Sequence, residues 1–432
     1  MNRATLARWQ KSPTSLRFNA YCVFAAFSTY FCMYAFRKPF LVGAYAGKVH
    51  LPLLPEIDHK IILIIAQVIG YTLSKFIGIK VVSEAGAKRR AASIVAMIAF
   101  AEVCLLGFAL VPAPFDILFL FLNGIPLGMI WGLVFGYLEG RRSSEILGVG
   151  LSASYIVASG AVKSAGQWIL NLGIAERWMP FATGLVFFPA FLLCVQLLRT
   201  IPPPNAEDVK FRTARVPMDA TERKRFFRMF APGLVTLTGV HVFLTAYRDF
   251  RDNFAREIWQ ELGYGGQPAI FTVTELPIAF IVLVVLGALM IVRDNKKAVT
   301  VVHALMLAGT ALVGFATAAF QAQLISPVVW MTAVGLGMYV AYVPYGCILF
   351  DRIIAATGFA GTAGFMMYVT DAFGYLGSVA LTLFRNLGHP ELNWLVFFTR
   401  FSYAVSIVAA TAFLFSLIYF RRSHRVKSEA RA

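Results

Sequence analysis

Charge is scarce in this chain: only 14% of its 432 residues are charged, against ~25% in a soluble domain. With 59% of the residues hydrophobic, a water-soluble globule is excluded. Cysteine is scarce too. Cys22, Cys32, Cys104, Cys194 and Cys347 all fall in apolar stretches, with no Cys-x-x-Cys pair among them. That pattern excludes a disulfide framework and a zinc site and leaves five small core hydrophobes. The phosphate loop GxxxxGK[ST], HExxH and GxSxG are missing as well, and the polar gaps are too short for a soluble catalytic domain. The chain therefore reads as a non-enzyme that needs neither cofactor nor metal.

What it does have is apolar blocks of about 20 residues, the length that crosses a hydrocarbon core as a helix. Twelve are found, near 18–40, 60–82, 91–111, 116–138, 146–171, 178–198, 229–250, 268–292, 298–320, 326–349, 359–384 and 394–420. The first follows Arg3, Arg8, Lys11 and Arg17 and lacks a small-residue cleavage site, so it reads as a retained helix rather than a signal peptide. The fold class expected is all-α, a polytopic membrane protein of twelve transmembrane helices.

The net charge of +17 would point to nucleic acid in a soluble protein, but its distribution says otherwise. Twenty-six cationic residues collect in alternate gaps and at both termini, and six (Lys48, Lys60, Arg177, Arg251, Arg256, Arg385) in the others. This is the positive-inside pattern, which places both termini in the cytoplasm of a multi-pass inner (cytoplasmic) membrane protein and excludes a nucleic-acid partner. The longest gap, 199–228, opens with Pro202-Pro203-Pro204 and ends in ERKRFFR. Three parts follow: an N-terminal six-helix bundle, 1–198; a cytoplasmic linker, 199–228; and a C-terminal six-helix bundle with a basic tail, 229–432. Within the linker, Thr221–Arg228 reads either as a short amphipathic helix on anionic headgroups or as a plain solvated stretch.

An internal repeat supports the split. Phe36-Arg37-Lys38-Pro39-Phe40 matches Phe250-Arg251-Asp252-Asn253-Phe254, Leu127-Gly128-Met129 matches Leu336-Gly337-Met338, and Glu139 matches Asp351, all at offsets of 209–214. Two pseudo-symmetric six-helix halves around a midplane site describe the major facilitator architecture.

Ionisable residues inside apolar segments are costly and need a partner, a wet cavity or a function. Here they are Arg37, Lys38, Lys75, Glu102, Lys163, Arg248, Glu275 and Asp371, five of them cationic. A surplus of fixed positive charge favours an anionic solute. Arg37 offers a planar fork for a carboxylate or phosphate, and Arg251 or Arg248 would supply the opposite jaw. Asp249 and Asp252 are available to neutralise either. Lys163 and Asp371, 208 residues apart, are expected to face each other, as a structural lock or as a pair that opens during transport. Glu275 is a second proton site, and His241 is either a titrating group or a packing residue. Glu102 reads as structural. Gly124, Gly128, Gly132 and Gly136 recur every fourth residue, a stripe for close helix approach.

Tyr34-Ala-Phe-Arg37-Lys38 and Gly70-Tyr71-Thr72-Leu73-Ser74-Lys75-Phe76 resemble motifs of the organophosphate:phosphate antiporter branch of the major facilitator superfamily. The whole is similar to a bacterial offshoot marked by MYAFRKPF. The resemblance implies that Arg37, with Tyr34 beside it, binds a phosphate, that Lys38 and Lys75 set its electrostatics, and that a second Arg completes the site. Lys163 stands where glycerol-phosphate carriers have a His, and the loop Ser83–Arg90 lacks the usual Asp.

The function expected is secondary active transport, by alternating access, of a small anionic metabolite, with organophosphate/phosphate exchange as the finer reading. The partners are that anion, the lipid bilayer, and a coupling proton or counter-transported phosphate, acting on a monomer. The alternatives are a proton-coupled symporter of a neutral solute, a transport-dead sensor of a phosphorylated ligand, and a lipid carrier.

Overall fold

A computed structural model describes residues 5–6, 8, 16–50, 56–84, 89–141, 143–206, 208, 220–289, 291–357, 364–389 and 391–429. Lys11, Lys88, Arg142 and most of the linker between 207 and 219 lie outside them. In chain order the helices are α1 (Leu16–Met33), α2 (His59–Glu84), α3 (Arg90–Leu110), α4 (Asp116–Phe135), α5 (Ser144–Asn171), α6 (Met179–Thr200) and α7 (Ala220–Asn253). There follow α8 (Ala255–Glu261), α9 (Ala269–Leu289), α10 (Asn295–Gln321), α11 (Pro327–Cys347), α12 (Leu349–Thr357), α13 (Gly364–Leu383) and α14 (Trp394–Glu429). A two-residue antiparallel ladder pairs Lys48 with Asp58 and Val49 with Ile57.

Ten of these helices are long and apolar enough to cross a membrane by length and composition. The two remaining expected segments fall on α1 and α13, whose Arg17, Asn19 and Asp371 lower their apolarity. Large apolar residues face outward, among them Phe280, Phe315 and Leu193, each at least 69% exposed. That orientation is stable only against hydrocarbon. The molecule is an all-α polytopic membrane protein.

Three expectations about segment ends change. The first helix stops at Met33 instead of running to 40, and the chain continues as two short 3-10 turns, Tyr34–Phe36 and Pro39–Val42. Pro39 has no N–H to donate to an α-helical ladder, which suits it to open the second turn. Thr221–Arg228 is not a separate surface helix; it is the start of α7. The polar gap after α7 carries a helix of its own, α8.

The described residues cluster into two compact units. The first comprises residues 1–211, 252–276 and 379–394, the second 212–251, 277–378 and 395–432. In the first, α2 and α4 pack most tightly. A Cβ on Gly70 would lie 2.1 Å from the Phe121 carbonyl oxygen, and one on Gly124 would lie 2.3 Å from that of Gln67, so only glycine lets the two backbones meet. In the second unit α10 and α11 meet in the same way at Gly309 and Gly337, where an added Cβ would come within 2.5 Å and 2.4 Å of the opposite glycine's carbonyl oxygen. Without water to expel, such van der Waals contact is what holds helices together in lipid.

Candidate functional site

The unwound segment after α1 leaves carbonyl groups that a helix would have bonded internally, and in an apolar setting they need other donors. Two amides supply them. Asn123 Nδ2, on α4, donates to Phe36 O at 3.1 Å and to Ala101 O at 3.0 Å. Gln67 Nε2, on α2, donates to Arg37 O at 3.1 Å and to Asn123 Oδ1 at 2.9 Å. Further along, Glu176 accepts from the backbone N–H groups of Ala44 and Tyr45 at 2.8 and 2.9 Å, and Lys60 donates to Leu41 O at 2.7 Å and pairs with Glu257.

On this frame sit the cations of the first unit. Arg37 is 5% exposed, and its guanidinium carbon lies 3.7 Å from the centroid of the Tyr71 ring. Lys75, one turn further along α2, brings Nζ within 5.2 Å of the same ring. Tyr34 is buried beside Tyr30, ring centroids 5.6 Å apart. The Tyr71 ring thus meets two cations, a favourable electrostatic arrangement away from water.

A second cluster in the same unit is built on Asp252. Lys38 Nζ lies 2.5 Å from its Oδ2 and Lys163 Nζ 2.5 Å from its Oδ1, where Ser159 Oγ also donates. Lys163 donates in addition to Asp252 O at 2.9 Å, and Lys38 to Asn253 Oδ1 at 3.0 Å. Ser159 and Lys163 are four residues apart on α5, so helical geometry puts both on one face. The expected pair between Lys163 and Asp371 is not what forms: Asp252 is closer at hand, at the end of α7, and takes Lys163. Glu275, 8% exposed, packs its side chain where a Cβ on Gly160 would stand.

The second unit holds the remaining expected residues. Arg248 donates to Asp249 Oδ1 through Nε (3.0 Å) and Nη2 (2.7 Å), to the Tyr342 hydroxyl, and to Tyr375 OH at 3.3 Å. Arg251 instead donates to Met331 O at 3.0 Å and packs over Gly335. It lies inside a helix, while its repeat partner Arg37 lies in unwound chain, so the two halves of the motif have different local structure. His241, 1% exposed, stacks its ring on Tyr342 and meets Tyr345 at a tilt, centroids 5.1 and 4.5 Å away. Its Nε2 lies 3.4 Å from Asp371 Oδ1, an ion-pair distance without hydrogen-bond alignment.

Sequence reading missed Gln67, Asn123 and Ser159, and it set Asp252 against arginines rather than lysines. The amides had a signal: a carboxamide inside an apolar membrane segment is costly unless it has partners. Ser159 had none, because serine is ordinary in such helices. Among the described residues no group of three or more His, Cys, Asp and Glu side chains could hold a metal ion.

A family model described as "Family of unknown function (DUF5690)" matches residues 39–423. No curated protein matches the chain. Among solved structures the chain is similar to a D-xylose-proton symporter, with TM-score 0.58 and 15% identity over 92% of this chain and 96% of that one. It is similar to a mutant peptide transporter POT in complex with sulfate, with TM-score 0.60 and 14% identity over 94% and 95%. A POT family transporter in complex with a thioalcohol-conjugated peptide gives 0.59 and 12% over 94% and 96%. At these identities the likeness establishes a shared fold alone.

Proposed function

Because the chain belongs to DUF5690, a family of unknown function, its role has to be argued from its own residues, and we propose that it is a secondary transporter moving a small carboxylated or phosphorylated anion by alternating access. The carrying observation is a set of buried cations in the first unit: Arg37, Lys38, Lys75 and Lys163 are each 9% exposed or less, and Asp252 is the carboxylate bonded to two of them. Fixed positive charge held out of water concentrates anions and repels cations.

In this reading Arg37, held flat on Tyr71, and Lys75 grip the anionic group, with Tyr34 alongside. In the second unit the candidate arginines are Arg248, which donates to Asp249 and to the hydroxyls of Tyr342 and Tyr375, and Arg251, which donates to Met331 O on α11. His241 and Asp371, next to the Tyr342 that Arg248 also bonds, are suited to carry a coupling proton, and Glu275 is a second such carboxyl. The solved neighbours include transporters, one a D-xylose-proton symporter; this supports transport and leaves the anion to be argued from the cations. Exchange of an organophosphate for phosphate is the finer form of the proposal.

Purified protein in liposomes loaded with phosphate should take up labelled phosphate, and Arg37→Ala should abolish it. Uptake by wild type that Arg37→Ala leaves intact would remove Arg37 from the site. No anion uptake by folded wild type would remove the anion reading and favour symport of a neutral solute or ligand sensing.

A further inference from the structure

At one end of the second unit three helix termini are tied together. Phe230, near the start of α7, packs its ring against Phe420, near the end of α14, with centroids 6.4 Å apart, and the Tyr419 hydroxyl donates to Met229 O at 3.4 Å. Arg421 Nε reaches Thr300 Oγ1 of α10 at 3.4 Å, and His303 Nε2 meets Ser416 Oγ at 3.0 Å. The joined ends carry exposed cations: Lys224 and Arg228 on α7, Lys296 and Lys297 on α10, Arg421 and Arg422 on α14. Asp294, beside the α10 pair, is used as a helix cap, accepting from Lys297 N at 2.7 Å. Arg352 donates to Asn295 Oδ1 at 2.9 Å and brings its neighbour Asp351 with it, so α12 adds no net charge there.

Each of the three helices repeats one pattern. From the terminus into the apolar span, a cation is followed one turn on, along the same face, by an exposed apolar side chain. Lys224 is followed by Phe227 (39% exposed), Lys297 by Val301 (39%) and Arg422 by Ile418 (44%). A cation at one helix end is an ordinary interfacial anchor. Cations on three tied ends, above apolar surface on the same three helices, match an amphiphile whose head carries more than one negative charge.

We propose that the joined ends of α7, α10 and α14 bind a phospholipid with two phosphates in its headgroup, of the cardiolipin class. Arg228, Lys297 and Arg421, one from each helix, hold the phosphates, and the acyl chains lie over Phe227, Val301 and Ile418. Ammonium and guanidinium groups both donate to phosphate oxygens, the guanidinium through two parallel N–H groups. Bound there, the lipid clamps the start of α7 to α10 and α14 from outside. None of these residues belongs to the anion site proposed above, so the two readings stand or fall separately.

A cation near the surface strengthens attraction to anionic lipid about fivefold, so removing three should weaken binding by roughly a hundredfold. The test titrates purified, delipidated protein in detergent with lipid and reads native mass spectrometry and thermal unfolding. Cardiolipin is the probe and phosphatidylcholine the zwitterionic control. Wild type should bind cardiolipin in preference to phosphatidylcholine and melt at a higher temperature with it. Arg228→Gln, Lys297→Gln and Arg421→Gln combined should raise the half-saturating cardiolipin concentration by roughly a hundredfold. Arg17→Gln, Arg89→Gln and Arg199→Gln combined, which removes exposed cations from the first unit, should leave it unchanged.

Equal loss in both triple variants would show attraction to net charge alone and overturn the site. Equal binding of phosphatidylcholine and cardiolipin by wild type would overturn it too. Inorganic phosphate has the charge without the chains: a phosphate-induced rise in melting temperature that the Arg228, Lys297 and Arg421 variant loses would assign these cations to a free anion and overturn the lipid reading. Should that variant fail to fold, cardiolipin with a photoreactive acyl chain gives the decision on wild type. Crosslinks around Phe227 and Ile418 support the site, and crosslinks spread over both units overturn it.

Discussion

The guanidinium of Arg37 lies on the ring of Tyr71, 3.7 Å from its centroid, and the ring is approached by Lys75 at 5.2 Å. The ring therefore serves two cations on neighbouring elements. Such contacts are worth about 0.5–2 kcal/mol, a factor of roughly 2–30 in binding. Tyr71→Phe should keep phosphate uptake close to wild type, since it keeps the ring. Tyr71→Leu should raise the half-saturating phosphate concentration within that range, and Arg37→Lys should be costlier than its retained charge suggests. Equal uptake by the Phe and Leu variants would show that the ring contributes nothing.

Asn123 ties three elements, donating to Phe36 O and Ala101 O while accepting from Gln67. Asn123→Leu leaves these groups buried without partners, each at a cost of about 1–3 kcal/mol. The variant should unfold at clearly lower temperature in detergent, and residues 34–42 should become accessible to proteolysis first. An unchanged melting temperature would mean that the turn needs no such support.

His241 and Asp371 lie 3.4 Å apart beside Tyr342, which also bonds Arg248. Protonation adds positive charge near an arginine proposed to bind an anion, so anion affinity should rise as pH falls through the histidine's titration. In His241→Gln that rise should be absent, leaving a flatter pH profile. An identical profile in the variant would place the proton elsewhere, with Glu275→Gln the next variant to measure.

Glu102 differs from the other buried ionisable groups. It is 7% exposed, neither carboxyl oxygen has a hydrogen-bond partner among the described residues, and a Cβ on Gly184 would fall 2.0 Å from Oε2. Burying an unbonded carboxyl costs about 1–3 kcal/mol or more. Glu102→Leu, similar in volume, should therefore melt at a higher temperature than wild type with transport retained. Loss of transport in a stabilised Glu102→Leu protein would show that Glu102 has a functional role.

Several features of this protein follow from order along the chain alone. Apolar blocks of about 20 residues and low charge are one-dimensional facts, and bilayer thickness converts them directly into helices. The positions of the costly charges follow in the same way, because a residue inside an apolar block carries its penalty wherever the block packs. Which charge meets which was a tertiary matter. Asp252 is one residue from Arg251 and 89 from Lys163, yet Lys163 is its partner, since side chains successive on a helix diverge while α5 and the end of α7 converge. The break in α1 at Met33 and the partners of Gln67 and Asn123 were decided there too. Each depends on which backbone carbonyl lies within reach of a donor, a distance of about 3 Å that sequence spacing does not encode.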